Sequence, residues 1–373
     1  MIGFMRIMWL LKIISLVRSQ LYSDECINGW QFYITCDTCN LTCILSLNYF
    51  NIRLSSKSCN MDKLEQGKID QFNRTLSFDF SSIGLQSIEI NSFLELKQLE
   101  NLNLKKNKLR ILESGIFNGL NSLKCLNLQS NNIEMIMPRT FLPLENLDSL
   151  DLSINLLKQL NGEILNGLIS LNFFSLDSNQ IEEIHAGSFM ASKNISYLLL
   201  NNNKLTILRK GMFDGLINVN LLEIKENMIT EIDNRWLDEL SYIDTIDLSS
   251  NQVKKINSFS FDKTKIKILY LNDNSQSKSL NNETLFGVKD LKILYFYRNL
   301  LENIEENTFL KLNQLTDLKL SFNSLKTIRF GSFRGLTELQ LMQIDQNELQ
   351  TIEDNSFIEL NKLKYLYLMV FIS

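Results

Sequence analysis

Apolar and polar positions along this chain follow one frame that repeats every 24 residues. The unit at residues 99–122 shows the fixed positions of the frame, which are Leu99, Leu102, Leu104, Asn107, Leu109, Leu112, Phe117 and Leu120. The asparagine recurs in eleven successive units, as Asn107, Asn131, Asn155, Asn179, Asn203, Asn227, Asn251, Asn274, Asn299, Asn323 and Asn347. One step of 23 residues and one of 25 flank Asn274 and cancel. Self-similarity at such a spacing predicts a solenoid of stacked units.

Each unit also predicts its own local structure. The stretch LxxLxL alternates apolar and polar residues, which indicates a short strand whose leucines face the interior. The chain must turn after the strand, and asparagine carries both a donor and an acceptor for backbone groups left unpaired there. A column of large residues fills the outer half of each coil, at Phe117, Phe141, Phe189, Phe213, Phe261, Phe309, Phe333 and Phe357, with Leu165 and Leu237 substituting. We interpret both columns as core.

Written out, the frame is LxxLxLxxNxLxxLxxxxFxxLxx, and it resembles that of the extracellular, typical class of leucine-rich repeat proteins. Toll-type receptor ectodomains, Slit, chaoptin-like adhesion proteins and small matrix proteoglycans belong to this class. The resemblance implies an α/β-type leucine-rich repeat solenoid, a curved horseshoe with a parallel β-sheet on its concave face. We expect a signal peptide at 1–23, a cysteine-containing cap at 24–74 and an array of about twelve full repeats plus a truncated thirteenth at 75–373.

The array departs from its frame at three places. Ile83 replaces the asparagine in the first repeat, at residues 75–98. In the unit at 266–290, Gln276 takes an apolar position, which predicts a local bulge or a joint between two sub-arrays. The last strand, with Leu366, runs into the apolar end at 370–373. We expect the sequence to be a fragment of a longer chain, and to aggregate or dimerise through this end.

The first 23 residues combine a basic start at Arg6 with a short apolar run, which is typical of a secretory signal peptide. Lys12 interrupts the run, and Ser23 is a small residue suited to precede the cleavage point. The run is too short to span a bilayer comfortably, so a membrane anchor is the weaker interpretation. We expect an extracellular protein, secreted or held at the outer face of the plasma membrane through a segment beyond the given sequence.

Five of the six cysteines lie just after the predicted signal peptide, at Cys26, Cys36, Cys39, Cys43 and Cys59. The resemblance implies a disulfide-stapled cap here, although the family's usual C…CxC…C spacing is not kept. A CxxC redox site would need a βαβ context, and a zinc site would need further ligands that the single histidine does not supply. We favour structural disulfides. Any one of the five cysteines can be left unpaired and the other four can pair in three ways, so fifteen arrangements stay open. Cys125 stands alone in a strand, and we interpret it as an inert thiol rather than a bonded one.

Sequons for N-glycosylation begin at Asn40, Asn73, Asn194 and Asn282. They agree with the secretory pathway, although a chain so rich in asparagine yields some sequons by chance.

Composition and motifs exclude several functions. A net charge of −4 provides no basic footprint, so nucleic acid is not a favoured partner. His185 is the only histidine, which argues against a catalytic triad or a histidine metal site. No glycine-rich phosphate loop follows a strand. We therefore expect no enzyme, no cofactor and no metal.

The strongest candidate surface lies on the face of the strands opposite the buried leucines. The repeat places Ile268 beside Ile293, and Tyr270 beside Tyr295, with Tyr297 next to them and Asp317 and Lys319 on the following strand. Tyrosine suits a binding surface because its ring excludes water while its hydroxyl still forms hydrogen bonds. The alternative interpretation is that these rings only shield the strands, which favour aromatic residues.

Function then rests on surfaces rather than on a reaction centre. We expect a protein-binding recognition or adhesion ectodomain, receptor-like, with a protein ligand or cell-surface partner. The alternative is a secreted matrix protein that organises other macromolecules.

Overall fold

The structure is a computed structural model that describes residues 34–36, 51–54, 61–262, 264–274 and 278–369. The predicted signal peptide, the sequon at Asn40, Gln276 and the chain end from residue 370 lie outside these ranges. The cap cysteines Cys26, Cys39, Cys43 and Cys59 lie outside them as well, and of Cys36 only the backbone strand is described. The chain divides into two compact units, one of Met1–Leu152 with Gly167–Phe173 and one of Ser153–Asn166 with Phe174–Ser373.

In the first unit, long-sheet strands alternate along the chain with two-residue strands on the opposite side of each coil. The strands are β1 Ile34–Cys36, β2 Asn51–Leu54, β3 Lys63–Leu64, β4 Ser77–Asp79, β5 Ser87–Ile88, β6 Asn101–Asn103, β7 Ile111–Leu112, β8 Cys125–Asn127, β9 Met135–Ile136 and β10 Ser149–Asp151. The order β1-β2-β4-β6-β8-β10 forms a parallel sheet, while β3 pairs with β5 and β7 with β9.

The second unit repeats this pattern, and strand β12 contains the boundary between the units. Its strands are β11 Gln159–Leu160, β12 Phe173–Ser175, β13 Glu183–Ile184, β14 Tyr197–Leu199, β15 Ile207–Leu208, β16 Asn218–Glu223, β17 Glu231–Ile232, β18 Tyr242–Asp247, β19 Lys255–Ile256, β20 Lys265–Tyr270, β21 Ser279–Leu280, β22 Ile293–Tyr295, β23 Asn303–Ile304, β24 Asp317–Lys319, β25 Thr327–Ile328, β26 Leu341–Gln343, β27 Thr351–Ile352 and β28 Tyr365–Tyr367. From β14 to β28 the even-numbered strands form a parallel sheet in chain order.

The predicted solenoid is confirmed, but its helical component is not seen. Within the described ranges the one helical segment is a 3-10 helix at Asp70–Phe72, and turns with two-residue strands form the other side of each coil. The frame explains this, because in the unit of Asn107 twelve residues remain between the two-residue strand β7 and the next long-sheet strand β8, and the buried Phe117 lies among them. An α-helix of typical length would occupy all of them.

The register of the parallel strands places equivalent positions of successive repeats side by side. Leu198 of β14 pairs with Leu222 of β16, and both side chains are fully buried. The residues that flank them in each strand face away from the core, because side chains alternate along a strand. We call the surface they form the open face of the sheet.

The asparagine column lies inside the coils. Asn203 is 5% exposed. Its amide nitrogen donates to the carbonyls of Leu176 at 3.0 Å and Leu200 at 3.1 Å, and its oxygen accepts from the Ile181 nitrogen at 2.9 Å. One side chain thus links the turns of two successive coils.

A left-handed residue precedes every asparagine of the column. These residues all have φ near +55° and are Lys106, Ser130, Ile154, Ser178, Asn202, Glu226, Ser250, Asp273, Arg298, Phe322 and Gln346. The conformation is costly for bulky and β-branched side chains such as Phe322 and Ile154. It recurs because the chain must leave the strand sharply enough to bury the next side chain.

The aromatic column has one substitution that the pattern did not predict. Leu237 occupies the phenylalanine position, but the ring in the column belongs to Trp236. Its centroid lies 5.6 Å from that of Phe213 and 6.4 Å from that of Phe261. The indole therefore bridges two coils, although its buried Nε1 has no hydrogen-bond partner within the described residues.

The irregular unit near residue 275 leaves the sheet intact. Strand β20 pairs with β18 and β22, and Ile268 lies opposite Ile293. Asn274 keeps its ladder bonds to Leu248 and Val253, each at 3.0 Å. Among the described residues, the buried oxygen of Asn299 has no donor.

Candidate functional site

Seven residues of the second unit form one patch on the open face. We call Ile268, Tyr270, Ile293, Tyr295, Tyr297, Asp317 and Lys319 the tyrosine surface. Register aligns Ile268 with Ile293 and Asp317 along one row, and Tyr270 with Tyr295 and Lys319 along the next. All seven side chains are half-buried, so each retains surface that a partner can contact.

The rings of the surface support one another. Tyr270 and Tyr295 stack with centroids 4.4 Å apart and planes inclined by 2°. Tyr297 meets Tyr295 edge-on at 6.3 Å, and the Lys319 ammonium lies 4.5 Å from the Tyr295 centroid. The stack agrees with the shielding interpretation. It also fixes the rings before any partner arrives, which lowers the ordering cost of binding.

Burial changes the ionisation of these groups. It raises the pKa of Tyr295, and the neighbouring Asp317 carboxylate adds to that shift. Burial likewise raises the pKa of Tyr297, with a further contribution from Asp273. Burial lowers the pKa of Lys319, while Asp317 opposes the change. The phenols are therefore neutral hydrogen-bonding groups at physiological pH.

A charged cluster borders the tyrosine surface where the strands begin. Asp244 accepts from the Lys267 ammonium and the Tyr242 hydroxyl, each at 2.7 Å. Burial raises the pKa of Asp244, but these two hydrogen bonds outweigh it and leave the pKa below its usual value. The bonds to Asp244 and Tyr242 raise the pKa of Lys267. Lys292 is exposed just before strand β22, so this border is polar.

The opposite border contains a ring that sequence analysis missed. Phe322 is 51% exposed in its left-handed turn. The Arg298 guanidinium lies 5.5 Å from its centroid and 3.7 Å from the Asp273 carboxylate. A phenylalanine at a position that is polar in most other units was the signal that could have found it.

Other predicted residues lie apart from this surface. The side chains of Asn73, Asn194 and Asn282 are exposed, as glycosylation requires. His185 is half-exposed, with its Nε2 3.8 Å from Glu183. Within the described ranges, no three His, Cys, Asp or Glu residues converge as metal ligands. The same ranges contain no helix with the length and apolarity needed to cross a bilayer.

The interpretation of Cys125 as an inert thiol is wrong. Cys125 stands on β8 between Asn101 and Ser149 of the neighbouring strands, and it is disulfide-bonded. The other five cysteines of the chain lie at positions 26–59, where an odd count leaves one without a mate. That odd count was the signal that a sixth cysteine, Cys125, is bonded rather than free.

Comparison with known proteins places the frame in a family. The family model described as leucine rich repeat matches residues 74–133, 97–157, 122–181, 145–205, 193–253, 264–325 and 313–369. No curated protein sequence matches the chain.

Solved structures share the fold at low sequence identity. The Drosophila Toll–Spatzle complex aligns with a TM-score of 0.68 at 18% identity, over 91% of this chain and 53% of that one. An internalin from Listeria monocytogenes aligns with a TM-score of 0.58 at 20% identity, over 82% of this chain and 85% of that one. The LRIM1/APL1C complex aligns with a TM-score of 0.58 at 17% identity, over 86% of this chain and 54% of that one. The chain thus spans about half the length of the Toll chain.

The matched segments together cover residues 74–253 and 264–369, which is more than half of the 373 residues. The alignments to solved structures agree on the same stacked parallel coils. This chain belongs to the leucine-rich repeat family.

Proposed function

We propose that the chain is an extracellular recognition ectodomain, receptor-like, that binds a protein ligand through the tyrosine surface. The observation that carries the proposal is the braced stack of Tyr270 and Tyr295, with Tyr297 against it, on an otherwise mostly polar open face. Rigid, half-buried aromatic residues are the usual carriers of interface energy. The Toll structure, a complex with Spatzle, shares this fold and supports a protein as the partner.

The extracellular part of the proposal has its own support. It rests on the predicted signal peptide, the exposed sequons and the disulfide at Cys125, because disulfides persist in oxidising compartments. Expression of the full sequence in a eukaryotic secretory cell tests it. Recovery of the oxidised protein in the medium is expected, whereas retention in the cytosol with all thiols reduced would contradict it.

Ligand binding is tested by capture from extracellular fluid of the source organism. The immobilised chain should retain a protein that the Tyr295→Ala variant does not retain. Gln343 lies in the same row two strands further on and is half-buried as well, so Gln343→Ala is the matched control. Equal capture by all three forms would remove the tyrosine surface from the proposal.

The second candidate function is a matrix-organising role, favoured by the polar remainder of the open face and by the exposed sequons. The full-length transcript separates the two functions. A membrane-spanning segment downstream would support the receptor, and a cysteine-containing cap followed by a stop codon would support the matrix protein.

A further inference from the structure

Two phenylalanine rings form an exposed pair outside the long sheet, on the turn side of the second unit. Phe259 is 48% exposed, and Phe286 of the following coil is half-buried. Their centroids lie 4.6 Å apart with planes at 74°, and the Lys311 ammonium lies 4.4 Å from the Phe286 centroid. We call Phe259 and Phe286 the turn-side ring pair. It shares no residue with the tyrosine surface.

The backbone at Phe259 makes this exposure costly. Its φ is +66°, a left-handed conformation that bulky residues rarely adopt. Several other coils place glycine at the same frame position, for instance Gly187 and Gly211, with φ of +73° and +88°. The turn itself therefore does not require a ring. With 48% of its surface exposed, Phe259 retains ring area for a contact beyond the one it makes with Phe286.

The residue beside this ring carries a sequon. Asn282 is exposed and occupies the frame position of Ser258, which precedes Phe259. The Ser258 hydroxyl donates to the Glu283 carboxylate at 2.6 Å, which joins the two turns directly next to both residues. Asn282 and Phe259 thus project from adjoining coils at neighbouring positions. Thr284, the third residue of the sequon, is held by hydrogen bonds to Asn281 at 2.8 and 2.9 Å.

We infer that the turn-side ring pair is a stacking platform for an N-linked glycan on Asn282. The first N-acetylglucosamine of such a glycan has an apolar face of C–H groups, and an aromatic ring buries such a face well. Attachment at Asn282 keeps the sugar near the ring, so that contact needs no independent affinity. The inference rests on the proposed extracellular function, because N-glycans are added to surface loops of secreted proteins.

The test uses the full sequence secreted from a eukaryotic cell, with its glycans trimmed to the single N-acetylglucosamine. Proton NMR of the acetyl methyl groups is the readout, because a methyl held over an aromatic ring shifts upfield. One methyl resonance should be displaced upfield, and it should disappear in Asn282→Gln. The displacement should also be lost in Phe259→Ala and in Phe259→Leu, and the leucine variant retains apolar bulk if the alanine variant folds poorly.

Phe322→Ala is the matched control, because Phe322 is 51% exposed with a φ of +57° and lies on the open-face side of its turn. The displacement should persist in that variant. Unshifted methyls in the parent protein, or a shift that survives the loss of Phe259, would overturn the inference. If Asn194 carries sugar and Asn282 carries none, the inference about the turn-side ring pair is overturned while the proposed extracellular function stands. Absence of sugar from every sequon in a protein that stays in the cytosol would instead contradict the extracellular function.

Discussion

At the residue scale, the side chains of the tyrosine surface differ from ordinary surface residues in their ionisation. Burial of Tyr295 and Tyr297 disfavours their phenolate forms, and no cation of the surface offsets this fully. These two residues should therefore ionise at higher pH than exposed tyrosine, whose pKa is about 10. Absorbance titration of the phenolate should show a late-titrating fraction that is reduced in Tyr295→Phe and absent from the unfolded protein.

The same shift has a consequence for stability. The pKa of each tyrosine is higher in the folded protein than in the unfolded one. The contribution of these two side chains to the free energy of unfolding is therefore fully present below about pH 10, and it is lost as the pH rises through the folded pKa. Burial lowers the pKa of Lys319, so the contribution of this residue to the free energy of unfolding rises with pH in the alkaline range. Absorbance separates the tyrosines from the lysine, and coincident titration of all tyrosines would contradict the buried stack.

The buried amides offer a second residue-scale prediction. Replacing Asn203 by alanine leaves the Ile181 nitrogen and the Leu176 carbonyl without a partner inside the coil. The expected loss is about 1–3 kcal/mol in the free energy of unfolding, measured by denaturant titration. Asn313 is exposed on a turn, so Asn313→Ala is the control and should stay within about 0.5 kcal/mol of the parent. Equal stability of the two variants would exclude a structural role for the column.

At the element scale, successive coils approach so closely at some turns that only glycine fits. Gly215 has a φ of +102°, and a Cβ there would lie 2.5 Å from the Met190 nitrogen. Gly187 has a φ of +73°, but its Cβ would come no closer than 3.4 Å to the Met190 side chain. A side chain at Gly215 would therefore meet both backbone strain and a collision with the backbone of the neighbouring coil. A side chain at Gly187 would meet the strain alone.

We therefore expect Gly215→Ala to lower the melting temperature more than Gly187→Ala does. Left-handed strain costs roughly 1–2 kcal/mol at either site, and the collision adds to it only at Gly215. Thermal unfolding followed by circular dichroism measures both. A larger loss at Gly187 would show that the coils are not packed as closely as described.

The elements that depend on the repeat itself could be predicted from the sequence. The frame located the strands, because each needs only two inward residues such as Leu102 and Leu104 at a spacing of two. It did not predict Trp236 in the aromatic column, because a neighbouring residue can supply the ring when Leu237 leaves a gap. The left-handed turns were also missed, since residues as different as Lys106 and Phe322 occupy them and the backbone rather than the side chain decides.

For the tyrosine surface too, the repeat frame predicted residues on the strands but not those in the turns. Counting by frame aligned Tyr270 with Tyr295, because parallel register makes equal positions neighbours. The ring of Phe322 was not found, because it lies beyond the strand, in the turn that the frame described only by its asparagine. Whether the surface binds a partner stays a prediction.

At the scale of the whole molecule, we expect the disulfide at Cys125 to tie distant parts of the sequence together. Cys125 is disulfide-bonded, and the other cysteines of the chain are Cys26, Cys36, Cys39, Cys43 and Cys59. Mass spectrometry of a non-reduced digest of the secreted protein should therefore find the Cys125 peptide linked to a peptide from residues 24–60. Alkylation before reduction is the control for exchange. Recovery of the Cys125 peptide as a free thiol would contradict the linkage, and six free thiols would contradict the extracellular location as well.

Recognition of a protein through the tyrosine surface is the central proposal for this chain, and a single affinity measurement can test it. Once capture has identified a protein partner, calorimetry should compare its binding to the parent, to Tyr295→Ala and to Gln343→Ala. We expect Tyr295→Ala to weaken binding by at least about 2 kcal/mol, roughly thirtyfold, with the melting temperature nearly unchanged. Gln343→Ala should bind like the parent. Unchanged affinity in a folded Tyr295→Ala variant would show that the partner does not bind through the tyrosine surface.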